Sequence, residues 1–419
     1  MLKKVKNLFK AIYNDMLLEV LCFLFFILAF CFERPSSVFY GYYKIIINKS
    51  ILLTDYIAIA GLGATFLNAA SIMLFNLIML KLMKIRINGP IFAGFIMILG
   101  FSFFGKNIFN TLPIYLGIFI YSKMKRTHFR NYIISLLFST GISPLVSYTM
   151  FSFPFYIGLP LGIIVGILVG ILIPTISSHT ILFHKGYNLY NTGFALGIIS
   201  VTFYAIYLGF NIKVETVMHI CNDYHNILLY LLIGISLAFI VLSFITDKIV
   251  IIEYYDKIAP KSGRLVTDFI NDAGIAPVLF NFGSIGLVSL LFIWLFKIDL
   301  NGATFGSILA IMGFASYGLH LRNAIPIWIG ALIAIVLRKS SFSSVSVVMA
   351  FFFATGLAPI SGKYGFFYGI LAGFLHIMIT PLMLGFQGGF DLYNNGFSAG
   401  FVAILIVNIK DALTFKEEF

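Results

Sequence analysis

The stretch NGPIFAGFIMILGFSFFGKNIFNTLPIYLG, residues 88–117, decides the fold because the chain contains it twice. The second copy, NGATFGSILAIMGFASYGLHLRNAIPIWIG, occupies residues 301–330 and aligns with the first without a gap. The positions that are identical in both copies include polar residues and glycines, and a shared apolar composition alone would not make such positions match. In the first copy they include Asn88, Gly89, Gly100, Gly105, Asn110, Pro113 and Gly117. A repeat of this kind predicts a protein built from two related halves.

Three further blocks recur in the same order outside this stretch. Thr54, Asp55 and Asn68 align with Thr267, Asp268 and Asn281, residues 139–144 align with 354–359, and residues 186–194 align with 389–397. The second block contains a Thr-Gly-x-x-Pro motif, which predicts a kinked helix because proline frees a backbone carbonyl. The third contains a Leu-Tyr-Asn-x-Gly-Phe motif. The duplication therefore covers most of the chain.

The composition excludes an ordinary soluble domain. Hydrophobic residues make up 60% of the 419 residues and charged residues only 11%, whereas soluble domains carry about 25% charged residues. Apolar runs of about 20 residues recur along the chain, each long enough to cross a hydrocarbon core about 30 Å thick as a helix. These runs lack the polar–apolar alternation of barrel strands. We therefore predict an all-α, polytopic integral membrane protein.

We divide the chain at the edges of the repeated blocks. The predicted parts are an N-terminal helix and loop over 1–50, a first membrane repeat over 51–210, a connecting helix and cytoplasmic loop over 211–265, a second membrane repeat over 266–410, and a C-terminal tail over 411–419. Each repeat contains two short apolar runs, 88–104 with 107–121 and 302–316 with 322–337. Runs of about 15 residues are too short to span comfortably, so we expect re-entrant-type helices.

The number of predicted crossings indicates inverted repeats. A pair of short runs leaves the membrane on the side where it entered, so an odd number of crossings separates each long run from its copy. Loop charges agree, because Lys and Arg concentrate in cytoplasmic loops. The basic residues assigned inside are Lys3, Lys4, Lys6, Lys10, Lys81, Lys84, Arg86, Lys123, Lys125, Arg126, Arg130, Lys248, Lys257, Lys261 and Arg264. Both termini are therefore expected in the cytoplasm of a bacterial cell, with the chain in its plasma (inner) membrane.

The junctions between the short runs form the first candidate site. They carry Lys106, Asn107 and Asn110 in the first repeat and His320, Arg322 and Asn323 in the second. If these junctions lie at the bilayer midplane, a buried cation needs an anionic partner, which a substrate carboxylate or phosphate would supply. If the short runs instead cross fully, the same residues are ordinary interfacial charges. Both readings stay open on the sequence.

The Leu-Tyr-Asn-x-Gly-Phe blocks form the second candidate site. Asn191 and Asn394 occupy aligned positions within them, and Asp391 belongs to the second copy. Amides beside glycines allow a helix to begin inside the membrane and to expose carbonyls to an ion or a polar solute. The alternative is a helix cap, since asparagine and aspartate are favoured at that position.

Acidic and amide residues near the long runs are candidates for holding a coupling ion. They are Asp268, Asp272 and Asn281 in the second repeat, together with Asp391. Ionisable residues within a membrane often carry protons or ions. For Asp268 and its copy Asp55 the alternative is again a helix cap, which the helix dipole favours. Asp272 and Asn281 are expected to lie deeper.

Several functions are excluded by what the sequence does not contain. Motifs for nucleotide binding, zinc proteases and serine hydrolases are missing, so we expect neither an enzyme nor a cofactor. Cys22, Cys31 and Cys221 have no metal-ligand spacing with histidine, so no metal site is expected. The net charge of +12 lies in loops between apolar runs, where it sets topology; no nucleic-acid partner is expected.

The repeated blocks also carry a resemblance. The Asn-Gly-x-x-Phe and Leu-Tyr-Asn-x-Gly-Phe blocks resemble those of a bacterial family of duplicated multi-pass membrane proteins of unknown function, over residues 51–408. More loosely, residues 190–197, YNTGFALG, are similar to helix starts in urea transporters, which have inverted repeats. The chain lacks the Leu-Pro-x-x-Thr-x-Pro-Phe motif of that family.

These observations predict a membrane transporter that moves a small polar or anionic solute between two inverted repeats, coupled to an ion. A channel-like facilitator of a small neutral solute is the first alternative. A membrane enzyme acting on a lipid-linked substrate is the alternative of another class. The expected partners are a small solute or ion and the lipid bilayer, with a homo-oligomer allowed by the glycine series at Gly162, Gly166 and Gly170.

Overall fold

The computed structural model describes residues 2–215 and 218–414, with side chains from residue 16 to residue 413 outside the gap. Residues 415–419 of the predicted tail, 411–419, lie outside the described residues. The side chains of Lys3, Lys4, Lys6 and Lys10 lie outside them as well. Within the described ranges the protein is α-helical, and its only β pairing is two isolated bridges. Nine helical segments in these ranges are long and apolar enough to cross a membrane, and two of them consist of shorter helices joined by a 3₁₀ turn. The all-α membrane fold is confirmed.

The helices follow one order in both halves. The first half contains α1 (Leu2–Ala29), α2 (Pro35–Ile47), α3 (Tyr56–Ala60), α4 (Leu62–Leu82), α5 (Gly89–Phe101), α6 (Ile108–Met124), α7 (Ile133–Ser139), α8 (Ser143–Ser152), α9 (Phe155–Phe183) and α10 (Asn191–Gly209). The second contains α11 (His225–Thr246), α12 (Val250–Glu253), α13 (Phe269–Ala273), α14 (Ile275–Phe296), α15 (Gly302–Gly313), α16 (Leu321–Leu337), α17 (Val345–Phe353), α18 (Ala358–Tyr364), α19 (Phe366–Gln387) and α20 (Asn394–Thr414).

Equivalent breaks interrupt equivalent helices in the two halves. Gly61 separates α3 from α4 at φ 91°, and Gly274 separates α13 from α14 at φ 90°, a left-handed conformation that glycine tolerates. Turns of 3₁₀ helix, Thr140–Ile142 and Ala354–Leu357, join α7 to α8 and α17 to α18. These turns lie at the two Thr-Gly-x-x-Pro motifs, so the kink predicted from proline is present in both copies.

The helices that precede each repeat also correspond. Helix α1 packs on α4, and α11 packs on α14 in the same way. The predicted repeat boundaries at residues 51 and 266 fall a few residues before α3 and α13. The packing therefore extends the duplication to one further helix on the N-terminal side of each copy.

The short helices α5 and α15 cross each other at the centre of the protein. Every residue of both helices is buried. Gly100, near the end of α5, faces the backbone of Gly306 near the start of α15, whereas Gly313, at the end of α15, faces Ala93 near the start of α5. These contacts make the two helices antiparallel, as expected when the copies are inverted.

Each repeat caps the short helix of the other. Asp55 accepts hydrogen bonds from Ile57 N, which begins its own α3, and from Gly302 N at the start of α15, at 2.9 and 3.0 Å. Asp268 accepts from Asn271 N and from Gly89 N at the start of α5, at 3.0 and 2.9 Å. The aligned carboxylates are therefore helix caps exchanged between the repeats, which is the alternative that the helix dipole favours.

The junction between the two short helices of one repeat does not meet the corresponding junction of the other repeat. We call these two segments the hairpin junctions. The 102–107 junction lies beside the start of α15, where Phe103 is next to Gly302. The second junction lies beside the start of α5, where Ser316 Oγ donates to Gly89 O at 2.8 Å. Since α15 has 12 residues, about 18 Å of helix separates the junctions. The two junctions therefore lie at opposite ends of the crossing and do not approach each other, contrary to the expectation that they meet around one site.

Candidate functional site

The two Leu-Tyr-Asn-x-Gly-Phe blocks contact each other at the centre of the helix bundle. A side chain built on Gly193 would meet the carbonyl of Tyr393 at 2.9 Å, and one built on Gly396 would meet the carbonyl of Tyr190 at 2.9 Å. The aromatic rings are paired in the same reciprocal way. The ring centroid of Tyr393 lies 4.6 Å from that of Phe101, and the ring centroid of Tyr190 lies 4.7 Å from that of Phe314, the residue aligned with Phe101. The pseudo-two-fold axis therefore passes between the blocks.

Each block also binds the broken helix of the other repeat. Leu189 N donates to Gly356 O and Leu392 N donates to Gly141 O, both at 2.8 Å. In the 3₁₀ turn each of these carbonyls would take its donor from the residue three positions on, which is Pro144 or Pro359 and has no N–H. The two motifs that the sequence repeats separately are thus parts of one central unit.

A cavity of about 90 Å³ lies against this unit. Its walls include aligned residues from both repeats, with Phe101 and Phe314 as one pair and Tyr190 and Tyr393 as another. Asn191 and Ser177 line its outer part, which belongs to the first repeat. We name it the first cavity.

A second cavity, of about 380 Å³, lies toward the other end of α10. Its walls include Thr380, Leu384 and Asn394, which occupy the positions aligned with Ser177, Ile181 and Asn191 of the first cavity. Tyr204 near the end of α10 lines the second cavity, whereas Asn191 at its start lines the first, a separation of about 20 Å along the helix. The two cavities are therefore symmetry-related spaces at opposite ends of the bundle.

Asn395 lines both cavities. Its Nδ2 donates to Asn394 Oδ1, and its Oδ1 lies 3.1 Å from His376 Nε2, so the amide is held on both sides. His376 is buried and bonded inside the bundle. In the first repeat the residue aligned with Asn395 is Thr192. The amide of Asn395, in the second repeat, thus borders both cavities.

Asn191 is fixed by its own repeat. Its Nδ2 donates to Ser177 O at 2.9 Å, and its Oδ1 is within 2.9 Å of Thr180 Oγ1 and of His184 Nε2. Because its donors and acceptors are occupied, Asn191 shapes the first cavity and keeps its polarity. Asn394 is the corresponding residue of the second cavity.

The six hairpin residues line neither cavity, and four of them are bonded within the protein. Asn107 and Asn110 form a capping box at the start of α6, and His320 and Asn323 form the same box at the start of α16. These four side chains therefore stabilise helix ends.

The two hairpin cations lie in different environments. Arg322 is exposed. Lys106 is fully buried, donates from Nζ to Tyr393 OH at 2.8 Å, and lies over the rings of Phe101 and Tyr393. The expected pairing of both cations around one solute is not what the structure shows, because α5 and α15 keep the junctions apart.

The residues proposed for a coupling ion are also dispersed. Asp268 is a helix cap, and Asn281 donates to Ala315 O and Leu319 O at 2.9 and 2.7 Å, as Asn68 does in the first repeat. Asp272 is exposed, 3.8 Å from Lys261, so the expectation that it lies deep was wrong. The reason is that α13 ends at Gly274, which places Asp272 before the membrane-spanning helix. Of the three acidic residues in this set, Asp391 is the one that is fully buried.

Sequence reasoning did not select Asn395. The available signal was its alignment with Thr192, a change from a hydroxyl to an amide between the two copies of the block. Among the described residues no group of three His, Cys, Asp or Glu side chains could hold a metal ion.

Comparison with known proteins identifies the family. A family model described as "Protein of unknown function (DUF1576)" matches the chain twice, over residues 34–208 and 245–412. The chain belongs to this family. The two matches cover the two repeats, which agrees with the duplication predicted from the sequence and seen in the fold. No curated protein and no solved structure matches the chain.

Proposed function

We propose that this protein is a transporter that moves a small, polar, uncharged solute through the space between its two repeats. The observation that carries the proposal is the pair of symmetry-related cavities that share Asn395. Inverted repeats allow two halves to exchange conformations, so that a central site faces first one side of the membrane and then the other. In any one conformation of such a transporter the two cavities would differ in size, as they do here, with volumes of about 90 and 380 Å³.

The lining of the cavities supports an uncharged solute. The described residues that line them include tyrosines, asparagines, serines and threonine, but no Lys, Arg, Asp or Glu. An anion would lose its hydration there without gaining a cationic partner, which is costly in a medium of low dielectric constant. Amide and hydroxyl groups can instead exchange hydrogen bonds with a polar solute one for one.

The orientation follows from charge. Lys185 pairs with Asp411, Arg264 Nε donates to Lys185 O at 2.6 Å, and Leu265 lines the first cavity. Since basic loops favour the cytoplasm, we infer that the first cavity faces the cytoplasm and the second faces outward in a bacterial plasma membrane.

A facilitator that never closes on either side is the second candidate, and the uncharged lining favours it equally. The two candidates differ in access. A transporter exposes the cavities alternately, whereas a facilitator joins them in one pore.

Cysteine labelling tests the access of the two cavities. In a background with Cys22, Cys31 and Cys221 replaced, Ser346→Cys (second cavity) should react with a membrane-impermeant maleimide only from outside. Ser135→Cys (first cavity) should react only from inside. Labelling of both positions from one side would contradict the orientation. Protection of each by blocking the other would support alternation.

Solute movement is tested by stopped-flow light scattering of proteoliposomes with urea, acetamide, glycerol and formate as probes. Asn395→Leu should slow the entry of the uncharged probes at least tenfold, as loss of about 1.4 kcal/mol of transition-state binding implies. Thr192→Val is the matched control at the aligned position. If no probe enters faster than into empty liposomes, these four solutes are excluded. If formate enters and the uncharged probes do not, the proposal is wrong.

A further inference from the structure

The aligned positions Asn188 and Asp391 differ in one chemically decisive way. Asn188 Oδ1 accepts from Tyr190 N at 2.9 Å, and its Nδ2 donates to the carbonyl of Gly396 in the other repeat, also at 2.9 Å. This asparagine therefore uses an acceptor toward its own block and a donor toward the opposite block.

Asp391 repeats only the first of these two bonds. Its Oδ1 accepts from Tyr393 N at 2.8 Å, and the carboxyl group is fully buried. Its Oδ2 is buried without a hydrogen-bond partner. An ionised carboxylate has only acceptors, so it cannot make the bond that Asn188 makes.

The pseudo-symmetry identifies what faces this oxygen. The contacts of Gly193 with Tyr393 mirror those of Gly396 with Tyr190, and both Leu189 N and Leu392 N donate to a 3₁₀ turn in the other repeat. Because Asn188 Nδ2 donates to Gly396 O, we infer from this symmetry that the carbonyl opposite Asp391 is that of Gly193. Two oxygen acceptors repel each other unless a proton or a cation lies between them.

We propose that Asp391 is a proton-binding site, in which the carboxyl O–H of Asp391 donates to Gly193 O between the two repeats. The protonated group reproduces the shape and the donor of Asn188, so the contact between the blocks is complete in both copies. A metal cation would need several more oxygen ligands than the carboxylate and one carbonyl provide.

The surrounding titratable groups do not neutralise Asp391. Lys106 directs its ammonium to Tyr393 OH, and His376 is bonded to Asn395. The other groups that face this region are His184, Tyr190 and three tyrosines packed around Phe390, which are Tyr148, Tyr204 and Tyr207. None of the ion pairs among the described side chains involves Asp391.

This site would couple protons to the proposed transport, and that part rests on the proposed function. Loss of the proton leaves a buried charge facing a carbonyl, which favours separation of Asp391 from Gly193. Because Gly193 and Gly396 line the first cavity, that separation would open it to water. Return of the proton would close the two blocks again.

Infrared spectroscopy tests the proton directly and does not depend on transport. The full chain in detergent or liposomes at neutral pH should show a carbonyl stretch from one protonated carboxylic acid that Asp391→Asn lacks, and the band should not change when Na⁺ replaces K⁺. Asn188→Asp, the mirror variant, should add a second band of the same kind. If Asp391→Asn leaves the carboxylic-acid region unchanged, Asp391 is ionised and the proposal fails.

Transport provides a separate readout. In proteoliposomes, the rate of entry of whichever uncharged probe is carried should change with pH for the full chain. Asp391→Asn should abolish that pH dependence while the variant still melts cooperatively. A retained pH dependence in Asp391→Asn would overturn the coupling even if the infrared band is lost. If no probe is carried, the infrared result alone decides whether the proton site exists, and the proposed function fails separately.

Discussion

The crossing of α5 with α15 and the contact between the Leu-Tyr-Asn-x-Gly-Phe blocks are both on the pseudo-two-fold axis, yet they are built differently. At the crossing every residue is buried and the contacts are glycine against backbone. At the blocks the repeats meet around a cavity, and aligned positions carry different polar groups, Asn188 with Asp391 and Thr192 with Asn395. The crossing therefore serves as a closely packed scaffold, whereas at the blocks the two halves present different polar groups to one space.

The largest effect is expected at the crossing. In Gly100→Val the new side chain meets the backbone of Gly306, which cannot rotate away. Overpacking of this kind costs about 3 kcal/mol or more, so the yield of monodisperse protein and its melting temperature should fall sharply. Gly234→Val is the control, because nothing lies within 4 Å of a side chain built there. Equal loss in both variants would show that the crossing is not special.

The exchanged caps should rank next. Asp55 is fully buried and accepts from backbone N–H groups of α3 and α15 and from Cys221 N, whereas Asp268 is partly exposed. We expect Asp55→Ala to lower the free energy of unfolding by about 2 kcal/mol and Asp268→Ala by about 1 kcal/mol. Thermal unfolding in one detergent measures both. The opposite order would mean that burial does not govern the strength of these caps.

The tyrosine hydroxyls of the two blocks should have smaller effects. Tyr190 OH lies 3.1 Å from Thr355 Oγ1 across the repeat interface, whereas Tyr393 OH accepts from Lys106. Tyr190→Phe should cost about 1 kcal/mol, the usual contribution of one neutral hydrogen bond. Tyr393→Phe should cost more, since it leaves the buried amino group of Lys106 without that acceptor. Equal melting temperatures for the two variants would contradict this asymmetry.

Replacement of Lys106 should change stability least. Its aligned residue is Leu319, so the site in the other repeat already accommodates leucine. Replacing a buried charge with a packed hydrophobic residue is often neutral or stabilising, and Lys106→Leu should therefore shift the free energy of unfolding by about 1 kcal/mol or less. A change in solute entry without a change in melting temperature would show that Lys106 positions Tyr393 for transport. A large loss of stability would show instead that the cation–aromatic contacts hold the block in place.

Some of this protein was predictable from its sequence for simple reasons. Apolar runs of membrane-spanning length define helices in lipid, because every backbone group must be satisfied within the segment. Repeated asparagines, glycines and prolines, such as Asn88 with Asn301 and Pro144 with Pro359, reveal the duplication, and chain direction with loop charge indicates inversion. For Asp55 and Asp268, a helix cap was one of the two interpretations that the sequence allowed.

The location of the candidate site was decided by tertiary packing. Sequence spacing cannot show that α5 and α15 cross each other and keep Lys106 apart from Arg322, because that depends on which glycine faces which backbone across the axis. It also cannot show that Asn395 borders two cavities or that Asp391 Oδ2 is buried without a partner. The amino-acid sequence determined the elements and their repetition, since these depend on local hydrophobicity and backbone chemistry. Only the tertiary structure decided which polar groups share a space, since that depends on contacts between residues about 200 positions apart.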